Sequence, residues 1–344
     1  MTSQIIKNFI KNYWRYFILA LLAIIFFLGA SSFNYFAQKD GFVKWLSPDE
    51  TANYAFAKLY AQSNELTIFE KYNIAAGDII HPRSMRSDVG VLKPVSFLGM
   101  ILIYGEIASV LGAKVLPYFT PFVGAIGILF FYSLVKEIFG RSNAIVSSFL
   151  LASFPVYIYY SARSMFHNVL FVVLLMIGLY FGIKMAEKSQ NRSLAPNEGA
   201  KLLAAALAGF FIGLAAITRT SELLWLAPVL IILWLFNIRK IGFIKLLIFL
   251  SFLFLSFSPV FYWNKILYGS FWIGGYPEMN QSIINISSVG SELAKTAVVG
   301  DFSHVRELLG KIKNYVFYFG LYPYQSAKMF YFYFVKMFFC LFWP

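Results

Sequence analysis

Two adjacent carboxylates, Asp49 and Glu50, stand in the tetrapeptide Ser47-Pro48-Asp49-Glu50 and give the clearest chemical signal in this chain. Such a pair can deprotonate an attacking hydroxyl and support the group that does so. The local pattern also starts a helix. Ser47 suits an N-cap, Pro48 the first helical position and Glu50 the third position of a capping box. Ala52, Ala55, Phe56 and Leu59 follow at helical spacing, as a helix lying on a membrane surface would need. In an ordinary helix the two acids would only complement the dipole. Their place just behind the first long apolar run gives them a second reading, as acids at a membrane face.

Cations recur downstream. His81-Pro82-Arg83, Arg86 and Lys93-Pro94 lie in the same stretch, and Pro94 suits the opening of a helix. Lys93 reads either as a snorkelling interfacial lysine or as a cation that meets a lipid phosphate. Tyr157, Tyr159 and Tyr160 form an aromatic belt ahead of Arg163, His167 and Asn168, polar groups at the mouth of an apolar run. Arg219 adds a further cation, although Glu222 one turn on is a natural partner for it. Three separated histidines (His81, His167, His304) and the single Cys340 make no metal-ligand spacing. No phosphate-binding loop, dinucleotide fingerprint or serine-nucleophile elbow is present.

The elements that must hold these residues are membrane helices. Of 344 residues, 59% are hydrophobic, 20% aromatic and 13% charged, far from the roughly 25% charged of soluble domains. Mean hydropathy is +0.68. These values exclude a soluble enzyme, a disordered chain and a disulfide-stapled module. The net charge of +13 fits basic residues at cytoplasmic helix ends and anionic lipid, with no nucleic-acid partner implied. Uncharged runs suitable for spans cover 16–38, 115–135, 142–162, 164–183, 202–218, 223–238 and 246–264. A terminal aromatic-rich helix over 315–344 follows.

Residues 95–111 are apolar but short, and contain Glu106 and three glycines nearby. Treating them as interfacial puts the N-terminus and the basic loops around Lys136, Lys184–Lys201 and Arg239–Lys245 on the cytoplasmic side. The expected architecture is all-α: a polytopic bundle, with a first span at 16–38 and six more over 115–264. An external loop with interfacial helices covers 39–114, and a second external loop covers 265–314. Residues 39–93 hold seven of the chain's 16 acids and seven bases. That loop is too charged for lipid.

Taken in order along the chain, Pro48-Asp49-Glu50, Lys93-Pro94 before an apolar helix, Phe139-Gly140-Arg141, Arg163, Gly213-Leu214-Ala215 through Arg219, and Asn264 with Tyr268-Gly269-Ser270 resemble a known family. It is the membrane-embedded type C (GT-C) glycosyltransferases, and within them the polyprenyl-phosphate-sugar group that includes protein O-mannosyltransferases and the aminoarabinose transferase of lipid A. Relatives are usually longer, so the chain reads as a short or an incomplete member. Many carry an acid where this chain has His167-Asn168.

The resemblance implies a multi-pass membrane enzyme, in the plasma membrane if the source is prokaryotic, with its site on the outer face. It would move a sugar from a polyprenyl-phosphate carrier to a lipid, glycan or protein acceptor by a single inverting displacement. Asp49 would be the base and Glu50 its supporting acid. Lys93 with Arg163 or Arg219 would bind the phosphate, and His81, Arg83, His167 and Asn168 would line the substrate site. The resemblance fixes no cofactor, and a divalent cation, Mg or Mn, is left open because relatives differ. The alternatives are a flippase or other transporter, which would more often carry charge at mid-membrane and an internal repeat, and a non-catalytic scaffold.

Overall fold

The computed structural model describes residues 2–38, 45, 47–187, 198–272, 274–275 and 323–337. The expected loop over 265–314 and the terminal helix over 315–344 fall largely outside them, as do His304 and Cys340. The chain divides into two units, Met1–Ile283 and Ile284–Pro344.

In the first unit, α1 (Thr2–Gln38) buries Leu19, Ala23, Phe26, Ala30 and Asn34. Their spacing of three or four residues makes one stripe that packs inward, while the opposite face stays apolar and exposed. The next helix, α2 (Pro48–Ser63), has the capping box expected from its sequence. Glu50 Oε2 accepts from the Ser47 amide at 3.1 Å and Ser47 Oγ accepts from the Asp49 amide at 3.3 Å.

Beyond α2 the structure adds something the helical reading of this loop missed. Strand β1 (Ile68–Phe69), a short helix α3 (Lys71–Ala75), β2 (Met85–Asp88) and β3 (Val91–Pro94) form a three-stranded antiparallel sheet in the order β1-β3-β2. The β2–β3 turn has Val89 at φ 49 and Gly90 at φ 77. Both central residues are left-handed, as a two-residue hairpin of this hand requires. Valine resists that conformation, and Asp78 holds it there. Its carboxylate accepts from the amides of Val89 and Gly90, both at 2.7 Å, and from Ser87 Oγ at 2.5 Å.

Helix α4 (Leu98–Leu111) is apolar but only 14 residues long. At about 1.5 Å per residue it covers roughly 21 Å, too little to cross a hydrocarbon core. Gly105 of α4 lies against Ala57 and Tyr60 of α2, and burial with the nearby Glu106 pushes the Tyr60 phenol up to about 12.

The bundle continues with α5 (Leu116–Phe139), α6 (Arg141–Ser153), α7 (Pro155–Arg163), α8 (His167–Ala186), α9 (Glu198–Thr218) and α10 (Leu223–Tyr268). The apolar run over 142–162 is not one straight helix: α6 and α7 meet at 55°. Pro155 drives the preceding Phe154 into extended backbone, φ −71 and ψ 118, and the helix breaks there.

The runs over 223–238 and 246–264 lie in one 46-residue element broken at Asn237 and Gly242 (φ 70). Phe249 packs on Gly209, and Leu253 and Ser256 on Gly213, so the second limb runs parallel to α9. The short connection at 219–222 sends the first limb back the other way. Among the described residues, five helices are long and apolar enough to cross a membrane, or six if α6 and α7 count as one bent span. In the second unit, α11 (Pro323–Phe330) continues into a π-helical stretch, Tyr331–Met337.

Candidate active site

Asp49 and Glu50 leave the first turn of α2 with different fates. Glu50 is fully buried and both of its oxygens are engaged. Besides capping α2, it pairs with Arg163 at the end of α7, with Nε–Oε1 at 3.0 Å and a second short contact from Nη2 to Oε2. Arg163 also donates to Tyr159 Oη at 2.9 Å and lies over the Tyr159 and Phe166 rings, each centroid 5.5 Å away. Its guanidinium therefore holds Glu50 in place.

Asp49 is only half-buried. Its Oδ1 accepts a short hydrogen bond from Ser84 Oγ, just ahead of β2, and its Oδ2 has no partner among the described residues. One turn further along α2, Asn53 is fully buried. Its Nδ2 donates to the Met165 carbonyl at 2.8 Å, while its Oδ1 accepts nothing among the described residues. A buried acceptor left open in this way is costly unless a ligand or water meets it.

The turn that brings Arg163 and His167 together is unusual backbone. Ser164 and Met165 have φ 58 and 50. They are held because Ser164 Oγ donates to the Pro117 carbonyl at 2.6 Å and Asn34 Nδ2 reaches Ser164 Oγ at 3.4 Å. Left-handed non-glycine residues persist only where their surroundings over-determine them, and they gather at functional sites. His167 then opens α8, buried against Phe97, with Nε2 3.3 Å from both Ser96 Oγ and the Phe97 carbonyl. The charges of Asp49 and Arg219 both reach its ring.

The remaining candidates arrive from other elements. Arg219, after α9, donates to Asn168 Oδ1 at 2.8 Å and pairs with Glu222 at 2.9 Å, the local partner expected for it. The hairpin carries Lys93 opposite Arg86. Lys93 Nζ pairs with Asp88 at 2.5 Å, donates to the Leu267 carbonyl at 2.9 Å and lies 5.4 Å from the centre of the Tyr268 ring. Tyr268 in turn donates a short hydrogen bond to the Pro94 carbonyl. Asn264 is buried nearby and donates to the Phe271 carbonyl at 3.3 Å.

Thus Asp49, Glu50, Lys93, Arg163, His167, Asn168 and Arg219 gather at one end of the bundle. His81 and Arg83 do not join them: both are exposed, and His81 Nδ1 lies 3.0 Å from the carbonyl of its neighbour Pro82. Ser84, Ser96, Asp88 and Asn53 are the residues sequence reasoning missed. Only Asn53 carried a signal, since it lies four residues after Asp49 on the same helix face. Among the described residues no group of three or more His, Cys, Asp or Glu is placed to cage a metal ion.

No curated protein and no solved structure matches the chain. Residues 98–263, from the start of α4 into the second limb of α10, match a family described as dolichyl-phosphate-mannose-protein mannosyltransferase. The matched stretch contains Arg163, His167, Asn168 and Arg219, whereas Asp49, Glu50 and Lys93 precede it. This match, over slightly less than half of the chain, makes the protein similar to that family, and with several helices long and apolar enough to cross a membrane it supports a multi-pass membrane glycosyltransferase of the GT-C type.

Proposed function

We propose that the protein transfers a sugar from a polyprenyl-phosphate carrier to an acceptor hydroxyl at the outer face of the membrane, with Asp49 as the base. The observation that carries this reading is the contrast between the two neighbouring carboxylates. Glu50 is saturated by its cap and by Arg163, whereas Asp49 is anchored through one oxygen and, among the described residues, keeps the other open. A general base needs that combination of fixed position and available lone pair.

In a single displacement, Asp49 takes the acceptor's proton as the acceptor oxygen bonds to the anomeric carbon. The bond from that carbon to the phosphate oxygen breaks, its electrons stay on the polyprenyl phosphate, and the configuration inverts. A phosphate is already a stable leaving group, so nearby cations suffice to offset its charge. Arg219, about a third exposed, and Lys93 are the cations proposed for it, with Arg163 in a holding role on Glu50. His167 and Asn168 position Arg219 and the loop ahead of α4.

The test is Asp49→Asn in purified protein supplied with a labelled polyprenyl-phosphate sugar. Asparagine still suits the start of a helix, so thermal stability should fall by no more than about 1 kcal/mol. Transfer should fall roughly 10²–10⁴-fold, the usual contribution of a positioned base. Transfer at a near wild-type rate would reduce Asp49 to a helix-start residue and remove the centre of the assignment.

A further inference from the structure

The other end of the bundle holds a cavity of about 660 Å³ between α5, α8, α9 and both limbs of α10. Its lining is mainly apolar, with Leu134, Gly182, Ile212, Leu230, Trp234 and Phe249 facing the space. Its rim is charged. Glu137, Glu187 and Lys240 border it, and Lys184 bridges the two glutamates at 3.1 and 3.3 Å, which offsets one of their two negative charges. Lys240 is exposed at the break between the α10 limbs and, among the described residues lining the cavity, is the cation left to meet a ligand. Along α8, fifteen residues separate His167 from Gly182, roughly 22 Å of helix. The cavity is therefore separate from the Asp49 site.

We propose that this cavity binds one membrane phospholipid, with an acyl chain among the apolar side chains and its phosphate on Lys240. Three observations favour that occupant. The volume falls within the roughly 300–1,000 Å³ of ligand sites, and an apolar interior with the Lys240 ammonium at its rim suits an amphiphile whose phosphate that ammonium can meet. The surrounding helices are long and apolar enough to lie in a bilayer, so a lipid is the apolar molecule at hand. The two cavity glycines also differ in a telling way. A side chain at Gly178 would collide with Ile212 at 2.5 Å, so that glycine serves helix packing. One at Gly182 would meet nothing within 4 Å and would project into the space. Gly182 keeps the space open without any packing demand to explain it.

The openness of Gly182 supplies the test. Full-length protein, reconstituted in nanodiscs of phosphatidylglycerol and phosphatidylcholine and then extracted into detergent, is examined by native mass spectrometry for retained lipid. The wild type should retain one phospholipid per chain, enriched in phosphatidylglycerol. Gly182→Leu should lose it, and Gly182→Ala, which adds one methyl, should keep it. Lys240→Ala should lose the preference for phosphatidylglycerol, with at least a threefold drop in enrichment. Melting temperatures of the variants identify any that fail to fold. Equal retention by the wild type and a folded Gly182→Leu overturns the proposal. So does a wild type that retains no lipid, or one whose retained species after adding polyprenyl phosphate is that carrier in place of phospholipid.

Discussion

The two ends of the bundle use charge in opposite ways. At the Asp49 end, buried and half-buried polar groups from α2, the hairpin, the α7–α8 turn and the residues after α9 hold one another across long stretches of chain. At the cavity end, partly exposed acids and bases pair at helix surfaces, both within a turn, Lys201 with Glu198 at 2.7 Å and Lys184 with Glu187, and between neighbouring helices, Lys184 with Glu137 and Lys245 with Glu198. Removing one partner from a buried pair leaves an uncompensated charge, whereas an exposed partner falls back on water. The first end is therefore specified by its charges, and the second only decorated by them.

The largest effect should come from Arg163→Ala, which leaves the fully buried Glu50 carboxylate without its cation. Breaking a buried pair costs about 3–5 kcal/mol, so the melting temperature should drop sharply, with Glu50→Gln milder because an amide still completes the cap. A loss under about 1 kcal/mol would make the two ends energetically alike. Next comes Ser84→Ala. It removes the hydrogen bond that fixes Asp49, and misplacing a reacting group by about 1 Å can cost about 10²-fold, so transfer should fall roughly 10–100-fold, with the half-saturating donor concentration little changed. An unaltered rate would mean that Asp49 is positioned by α2 alone.

A smaller effect concerns acid. Hydrogen bonds from Ser87 and from the Gly90 amide hold the Asp78 carboxyl below its ordinary 3.8. Burial raises the Asp88 carboxyl, but Lys93 and Arg86 outweigh it and bring that group below 3.8 as well. Both acids therefore support the hairpin fully above pH 3.8, and that support is lost as pH falls through their lowered values. Amide exchange over 85–94, corrected for intrinsic rates, should lose protection below pH 3.8 in the wild type. In Asp78→Ala it should already be weak at pH 7. The smallest effect belongs to the cavity end: Lys201→Ala should change stability by about 0.2–1 kcal/mol and leave transfer unchanged. A loss of several kcal/mol there would erase the contrast.

What the sequence determined by itself is what neighbouring residues decide together. Long uncharged runs mark the apolar helices, because the bilayer demands that length of each segment separately. Ser47, Pro48 and Glu50 start α2 because a cap closes within four residues. The chemical types at the site, carboxylates with lysine and arginine, were equally legible.

Their assignment to one another was not. Arg163 read as a phosphate ligand, but it meets Glu50 across 113 positions, and Ser84 meets Asp49 across 35. The three-stranded sheet was invisible because strands of two to four residues carry no usable periodicity and exist only by pairing. Nothing local could have distinguished His81 and Arg83, left exposed, from Lys93, ten residues on and drawn to Leu267 and Tyr268. Which of two adjacent carboxylates is buried and which stays open was decided by the elements that fold over them. Burial is a property of the assembled neighbours, and only the tertiary structure contains them.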